Sequence, residues 1–134
     1  MKLAGPALTR NQQAVLDVLS QATAPLSAYG ILDVLRPAGF RAPLQVYRAL
    51  DKLVETGLAH RIESMNAFVA CASPEDIHPE AIVFMLCEKC GQTVEVADHK
   101  VAHRIDELCR MNAFHGQKQT IEIRGLCARC AQAA

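Results

Sequence analysis

Between Thr9 and Gly57 the apolar positions recur three and four residues apart in three separate blocks. Val15, Leu16 and Leu19 share one face of a helix that Thr9 is placed to cap. Ile31, Leu32 and Leu35 do the same within SAYGILDVLRPAG, which Ser27 opens and Pro37 and Gly39 end. The third block opens at Pro43, a residue suited to a first helical turn, and closes at Gly57, with Val46, Leu50, Leu53 and Val54 as its inward stripe. The pattern then changes period. HRIE from His60 and AFVAC ending at Cys71 read as two short strands around a turn at Ser64-Met65-Asn66. Three short helices followed by a two-stranded ribbon predict a winged helix-turn-helix over residues 1–71.

ASPEDIHPE, residues 72–80, has two prolines and no periodicity, so it reads as a hinge. Beyond it IVFMLC and TVEVAD have strand character, DHKVAHRIDELCRM is helical, and QTIEIRGLC supplies a final strand. Residues 81–134 thus form a small α+β domain with few apolar residues for a core of its own, and pairing with a second copy would bury more. A homodimer is expected.

Composition refines this outline. The 14 basic and 14 acidic residues cancel, but through Ile62 seven bases face four acids, so the first half is mildly basic. On the third helix Gln45, Arg48 and Lys52 lie opposite the inward stripe, with Tyr47 beside them and Arg41 just ahead. On a free helix such a row is a solvated face; in a winged helix it is the face offered to a major groove, where Gln and Arg pair with base edges and Lys with phosphate. No stretch approaches a membrane span, and the start has no signal-peptide core, which places the protein in the cytoplasm. In that reducing compartment the 6 cysteines point to metal ligation or redox chemistry rather than a disulfide framework. No Gly-rich phosphate loop, nucleophile elbow or acid/base dyad argues for an enzyme.

Cys87-Glu88-Lys89-Cys90 and Cys127-Ala128-Arg129-Cys130 are two C-x-x-C units. In such a unit both sulfurs of one turn can face one ion, and two units give the Cys₄ set that zinc favours in structural sites. The strand, helix and strand between them account for the long interval. A thioredoxin-like dithiol is the alternative, needing only one pair and a different fold.

LTRNQQAVLDVL, SAYGILDVL, VYRALDKLVETGLAHRIESMNAFVAC, CEKCG and GLCARC follow one another over nearly the whole chain. In this order they resemble the ferric uptake regulator family, and HRIES-N-F-C resembles its zinc uptake regulator branch. The resemblance implies a dimeric, metal-responsive repressor that binds an inverted-repeat operator in double-stranded DNA. Structural zinc would sit at Cys87, Cys90, Cys127 and Cys130. Regulatory zinc would sit at the positions matching the branch's sensing ligands, which are His60, Cys71, His78 and Glu95. That makes about two Zn²⁺ per subunit, one for each four-ligand set. Two of the sensing ligands belong to the wing, one to the hinge and one to the second domain, so an ion that gathers them must fix the angle between domains. A thiolate with imidazoles and one carboxylate favours zinc; an iron or peroxide sensor on the same scaffold is the other reading.

The sequence departs from the family at several points. The hinge holds one His, with Asp76 and Glu80 as alternative oxygens to Glu95. Gln119 stands where iron-type relatives often carry a ligand His. Gly30 and Gln45 replace a frequent Asp and Thr. His99 and His103, four apart on the predicted helix, read as surface histidines, Cys109 as a core residue, and Asp33 with Arg36 as a helix-surface pair.

Overall fold

The computed structural model describes residues 7–72, 81–117 and 119–132. The chain divides into two units, the boundary falling between Ile77 and His78.

The first unit is built on three helices. Helix α1 spans Arg10–Gln21, and the Thr9 side chain accepts from the Gln12 amide while Gln12 reaches back to the Thr9 amide, a reciprocal cap that satisfies two orphan donors. Helix α2, Ala28–Leu35, is capped by Ser27 and runs into a single 3₁₀ turn at Arg36–Ala38, after which Gly39 takes a left-handed φ of 100°. Helix α3, Pro43–Glu55, ends where Gly57 adopts φ 79° and the amides of Gly57 and Leu58 return to the carbonyls of Val54 and Leu53. Val15, Leu19, Ile31, Leu32, Val46, Leu50 and Leu53 form one buried cluster at the helix junction. Leu16 and Val54, expected to point inward, only flank it, because they lie at the edge of their helical stripes.

Strands β1, Ala59–Ile62, and β2, Ala67–Ala70, pair antiparallel around a 3₁₀ turn at Glu63–Met65 that Asn66 closes with φ 48°. Asn66 Oδ1 accepts from Arg61 at 3.0 Å, tying the tip to the strand. On the other side of β2, Leu26 and Phe68 exchange both backbone hydrogen bonds, 3.0 and 2.8 Å, which anchors the ribbon to the segment before α2. That bridge, two residues far apart in sequence, leaves no periodic signal.

The second unit is a three-stranded sheet in the order β4-β3-β5, from β3 (Ala81–Cys87), β4 (Thr93–Asp98) and β5 (Ile121–Gly125). β3 pairs antiparallel with β4 and parallel with β5, the crossover carrying helix α4, His99–Met111, capped by Asp98. A short helix α5, Ala128–Gln132, follows the last strand where only a terminal knuckle is expected. One sheet face is apolar and partly open: Met85 stands between Val94 and Ile123, all three exposed, and Val96 lies exposed beside Val83. α4 buries no residue, so Cys109, read as core, is half-buried. Among the described residues no helix is long and apolar enough to cross a membrane.

Candidate metal sites and nucleic-acid interface

In the second unit the parallel pairing of β3 with β5 sets Cys87 opposite Gly125, so the two strands deliver their C-x-x-C turns to the same end of the sheet. The sulfurs of Cys87, Cys90, Cys127 and Cys130 lie within 4.8 Å of one another. Cys90 and Cys127 are 3.8 Å apart, about the edge of a sulfur tetrahedron around zinc with its Zn–S distance near 2.3 Å. Each turn is shaped by its own backbone. Gly91, at φ 81°, lets its amide return to the Cys87 carbonyl, and the Cys90 amide points at Cys87 Sγ from 3.5 Å. At the start of α5 the Cys130 amide does the same to Cys127 Sγ, also at 3.5 Å.

These contacts set the thiol chemistry. The Cys90 amide is the main influence that lowers the Cys87 thiol to about 5. The Cys130 amide chiefly lowers Cys127, whereas Cys130, hydrogen-bonded to the Cys127 side chain, is pushed up to about 12. Arg129 hydrogen-bonds to Cys90 and faces the sulfurs of Cys127 and Cys130, so its guanidinium is held more firmly protonated than usual. A cation placed between two ligands of one turn therefore reaches a ligand of the other. The residues were visible in CARC; their function across the cluster was not. The donor set fits zinc, with the Cys87 and Cys127 thiols eased toward thiolate before any ion arrives and Cys130 held as a thiol.

A second candidate ligand pair lies on the wing. His60 pairs with Val69, so Cys71, two residues on, projects from the same face of the ribbon as His60. The Cys71 amide, bonded to the Leu58 carbonyl at 2.9 Å, extends the pairing past the strand end. The ligand atoms of His60 and Cys71 approach within 4.8 Å, and His60 Nε2 is shielded from solvent. Glu95, on β4, is half-buried and shares the sheet face of Phe84, opposite the apolar face that carries Met85. His78, with Asp76 and Glu80, lies outside the described residues.

On α3 the exposed line runs through Leu44, Arg48, Asp51 and Glu55, while Gln45, Tyr47 and Lys52 are half-buried. Gln45 Oε1 accepts the amides of Arg41, 2.7 Å, and Ala42, 3.0 Å, and so caps a helix whose Ala42 has no side-chain acceptor. Its amide NH₂ is what it has left for a base. Tyr47 packs against the core cluster, and Lys52 Nζ lies 3.8 Å from Glu55. Asp33 and Arg36 form the expected surface pair at 3.2 Å, and His99 and His103 are both exposed.

A winged helix followed by a sheet unit with four thiols gathered where a metal ion would fit defines a metal-binding protein of the transcription-regulator class. The chain belongs to the ferric uptake regulator family, which matches residues 4–124. It is 36% identical over 127 residues to the zinc uptake regulation protein of Escherichia coli (strain K12), covering 93% of this chain and 73% of that protein. The zinc uptake regulation protein of Mycobacterium tuberculosis (strain ATCC 25618 / H37Rv) is 31% identical over 134 residues, covering 97% and 98%. Among solved structures, holo XcZur superposes with TM-score 0.87 at 40% identity over 98% of this chain and 90% of that one. A zinc uptake regulator complexed with zinc and DNA superposes with TM-score 0.89 at 34% identity over 95% and 85%.

Proposed function

We infer that this protein is a zinc-responsive repressor of zinc-uptake genes, acting in the cytoplasm as a homodimer on an inverted-repeat operator, and a regulator rather than a catalyst. The observation that carries the reading is the pair of ligands on one face of the wing, within 4.8 Å of each other. A metal held there engages the DNA-binding unit directly. The kinship with a zinc uptake regulation protein and with a zinc uptake regulator solved in complex with zinc and DNA supports zinc as that metal.

In this reading Cys87, Cys90, Cys127 and Cys130 hold a structural zinc, and His60, Cys71, His78 and Glu95 hold a regulatory one. The first contributes folding free energy, on the order of 10 kcal/mol for sites of this kind. The second stabilises the arrangement of domains that fits DNA, and its strength as a switch equals its differential affinity for that arrangement. Arg48 and the Gln45 amide face the major groove, with Tyr47, Lys52 and Arg41 at its margins. The open apolar strip around Met85, Val94 and Ile123 is the surface a second copy covers.

The test is affinity for an inverted-repeat duplex at fixed salt, with and without free zinc. Zinc should strengthen binding by a factor on the order of 5–150, the usual range of allosteric coupling. Equal affinity would overturn the switch. His60→Ala should retain the cysteine-bound ion and lose the response, and metal analysis of the unaltered protein should give about two zinc ions per protomer and no iron.

A further inference from the structure

We propose that Leu44 is a specificity-determining residue that reads a thymine through its C5-methyl group. The proposal rests on the repressor reading above and extends it to a residue that reading does not use.

Leu44 is 56% exposed in the first turn of α3. At roughly 100° per residue, it lies about 40° from Arg48 around the helix, on the line opposite the buried stripe. The usual first-turn candidates are engaged elsewhere. Gln45 directs its oxygen back to the Arg41 and Ala42 amides, and Tyr47 packs on the core. Further along the same line stand Asp51 and Glu55, whose carboxylates are repelled by phosphate. Along this line charge therefore favours the first two turns of α3 for base contacts, while Lys52, off the line beside Glu55 in the last turn, stays at the margin with the phosphates. A recognition helix makes base contacts with its N-terminal residues, so Leu44 and Arg48 enter the groove side by side. Arg48 suits guanine O6 and N7. Leu44 offers only methyl groups, and thymine is the base that presents an apolar partner in the major groove. Isolated exposed leucines are ordinary on a protein surface; this one is set apart by its place beside the cation, on the face that DNA would desolvate.

The experiment uses the zinc-loaded protein and the duplex it selects from a random pool. Each thymine is replaced in turn by deoxyuridine, which lacks only the methyl group. One position per half-site should lose about fourfold in affinity, the worth of one buried methyl-sized group. Leu44→Ala should lose a similar factor on the thymine duplex, and for this variant the deoxyuridine penalty should vanish. A scan in which no thymine matters, or in which the penalty survives unchanged in Leu44→Ala, overturns the assignment. The scan with unaltered protein needs no variant to fold. Failure of the unaltered protein to bind any duplex with zinc would overturn the repressor reading, and this assignment with it.

Discussion

Arg48 and Lys52 carry the same charge on one helix but meet different surroundings, and their substitutions should separate. Arg48 is exposed at the centre of the face, whereas Lys52 is half-buried beside Glu55 at its margin. Arg48→Ala should cost about 1–3 kcal/mol on the preferred duplex and relax discrimination at one base pair. Lys52→Ala should weaken preferred and random duplexes alike and lower the salt slope. Competition binding at several salt concentrations distinguishes the two. The cysteine cluster makes a second prediction at this scale. With Cys87 lowered to about 5 and Cys130 raised to about 12, the metal-free cluster at neutral pH holds a proton on Cys130. Zinc must displace it, so loading releases protons and affinity falls as the pH falls. Calorimetry in buffers of different ionisation enthalpy reads the release directly; its absence would remove Cys130 from the ligand set. In the metal-free protein the lowered Cys87 contributes stability that is complete above its ordinary value of 9.0 and is lost as the pH falls towards 5. Gln45 shows how much of a residue's task can be read early. A Gln three positions after a residue without a side-chain acceptor carries half of a capping box, and that signal was present in APLQ. The polar row, read alone, pointed to the groove and gave no sign of the cap.

The helices of the first unit were legible because each has a start residue and one period after it, and the second and third also have a glycine just beyond their end. α1 and α2 begin just after Thr9 and Ser27 and α3 at Pro43, and each buries most of the stripe that its spacing implies, with Leu16 and Val54 at the edge. Elements held by neighbours were not legible. The Leu26–Phe68 bridge is one residue long on each side, and α5 is only five residues, so neither repeats long enough to show a period. The junction of α3 and the wing offers a direct test. Gly57 turns the chain at φ 79° with open space where a Cβ would project, so a side chain there meets backbone strain and no clash. Gly57→Ala should therefore cost about 1–2 kcal/mol in denaturant unfolding with unchanged m-value. A larger loss, with weaker zinc coupling, would show that this turn also aims the hairpin carrying His60 and Cys71.

At the scale of the whole molecule the asymmetry between units is the informative property. Of the twelve large apolar side chains exposed among the described residues, eight belong to the second unit, including Met111, Phe114 and Leu126. The first unit closes a core by itself; the second leaves its sheet open. On the proposed homodimer, Ile123→Glu should give monomers in light scattering, with zinc content at the four cysteines unchanged. A variant that stays dimeric would move the interface off this sheet. The four-cysteine site could be read from spacing alone, since each pair is a local turn. The pairing of His60 with Cys71 came from the resemblance and the hairpin reading; what spacing left open was the register, which sets Val69 opposite His60 and so Cys71 on the same face. Register governs the cysteine site as well. Cys87 and Gly125 are partners in a parallel ladder, and the two thiol turns leave it together. A slip of β5 by one residue would carry Cys127 and Cys130 about 3.3 Å along the strand. It would also turn Ile121 and Ile123 to the opposite face. A tetrahedron with an edge of 3.8 Å does not survive that displacement. In the proposed zinc reading the ion would thus gauge assembly: only a sheet threaded in the correct frame brings the four sulfurs together, and a misthreaded chain leaves them apart with its apolar face turned the wrong way.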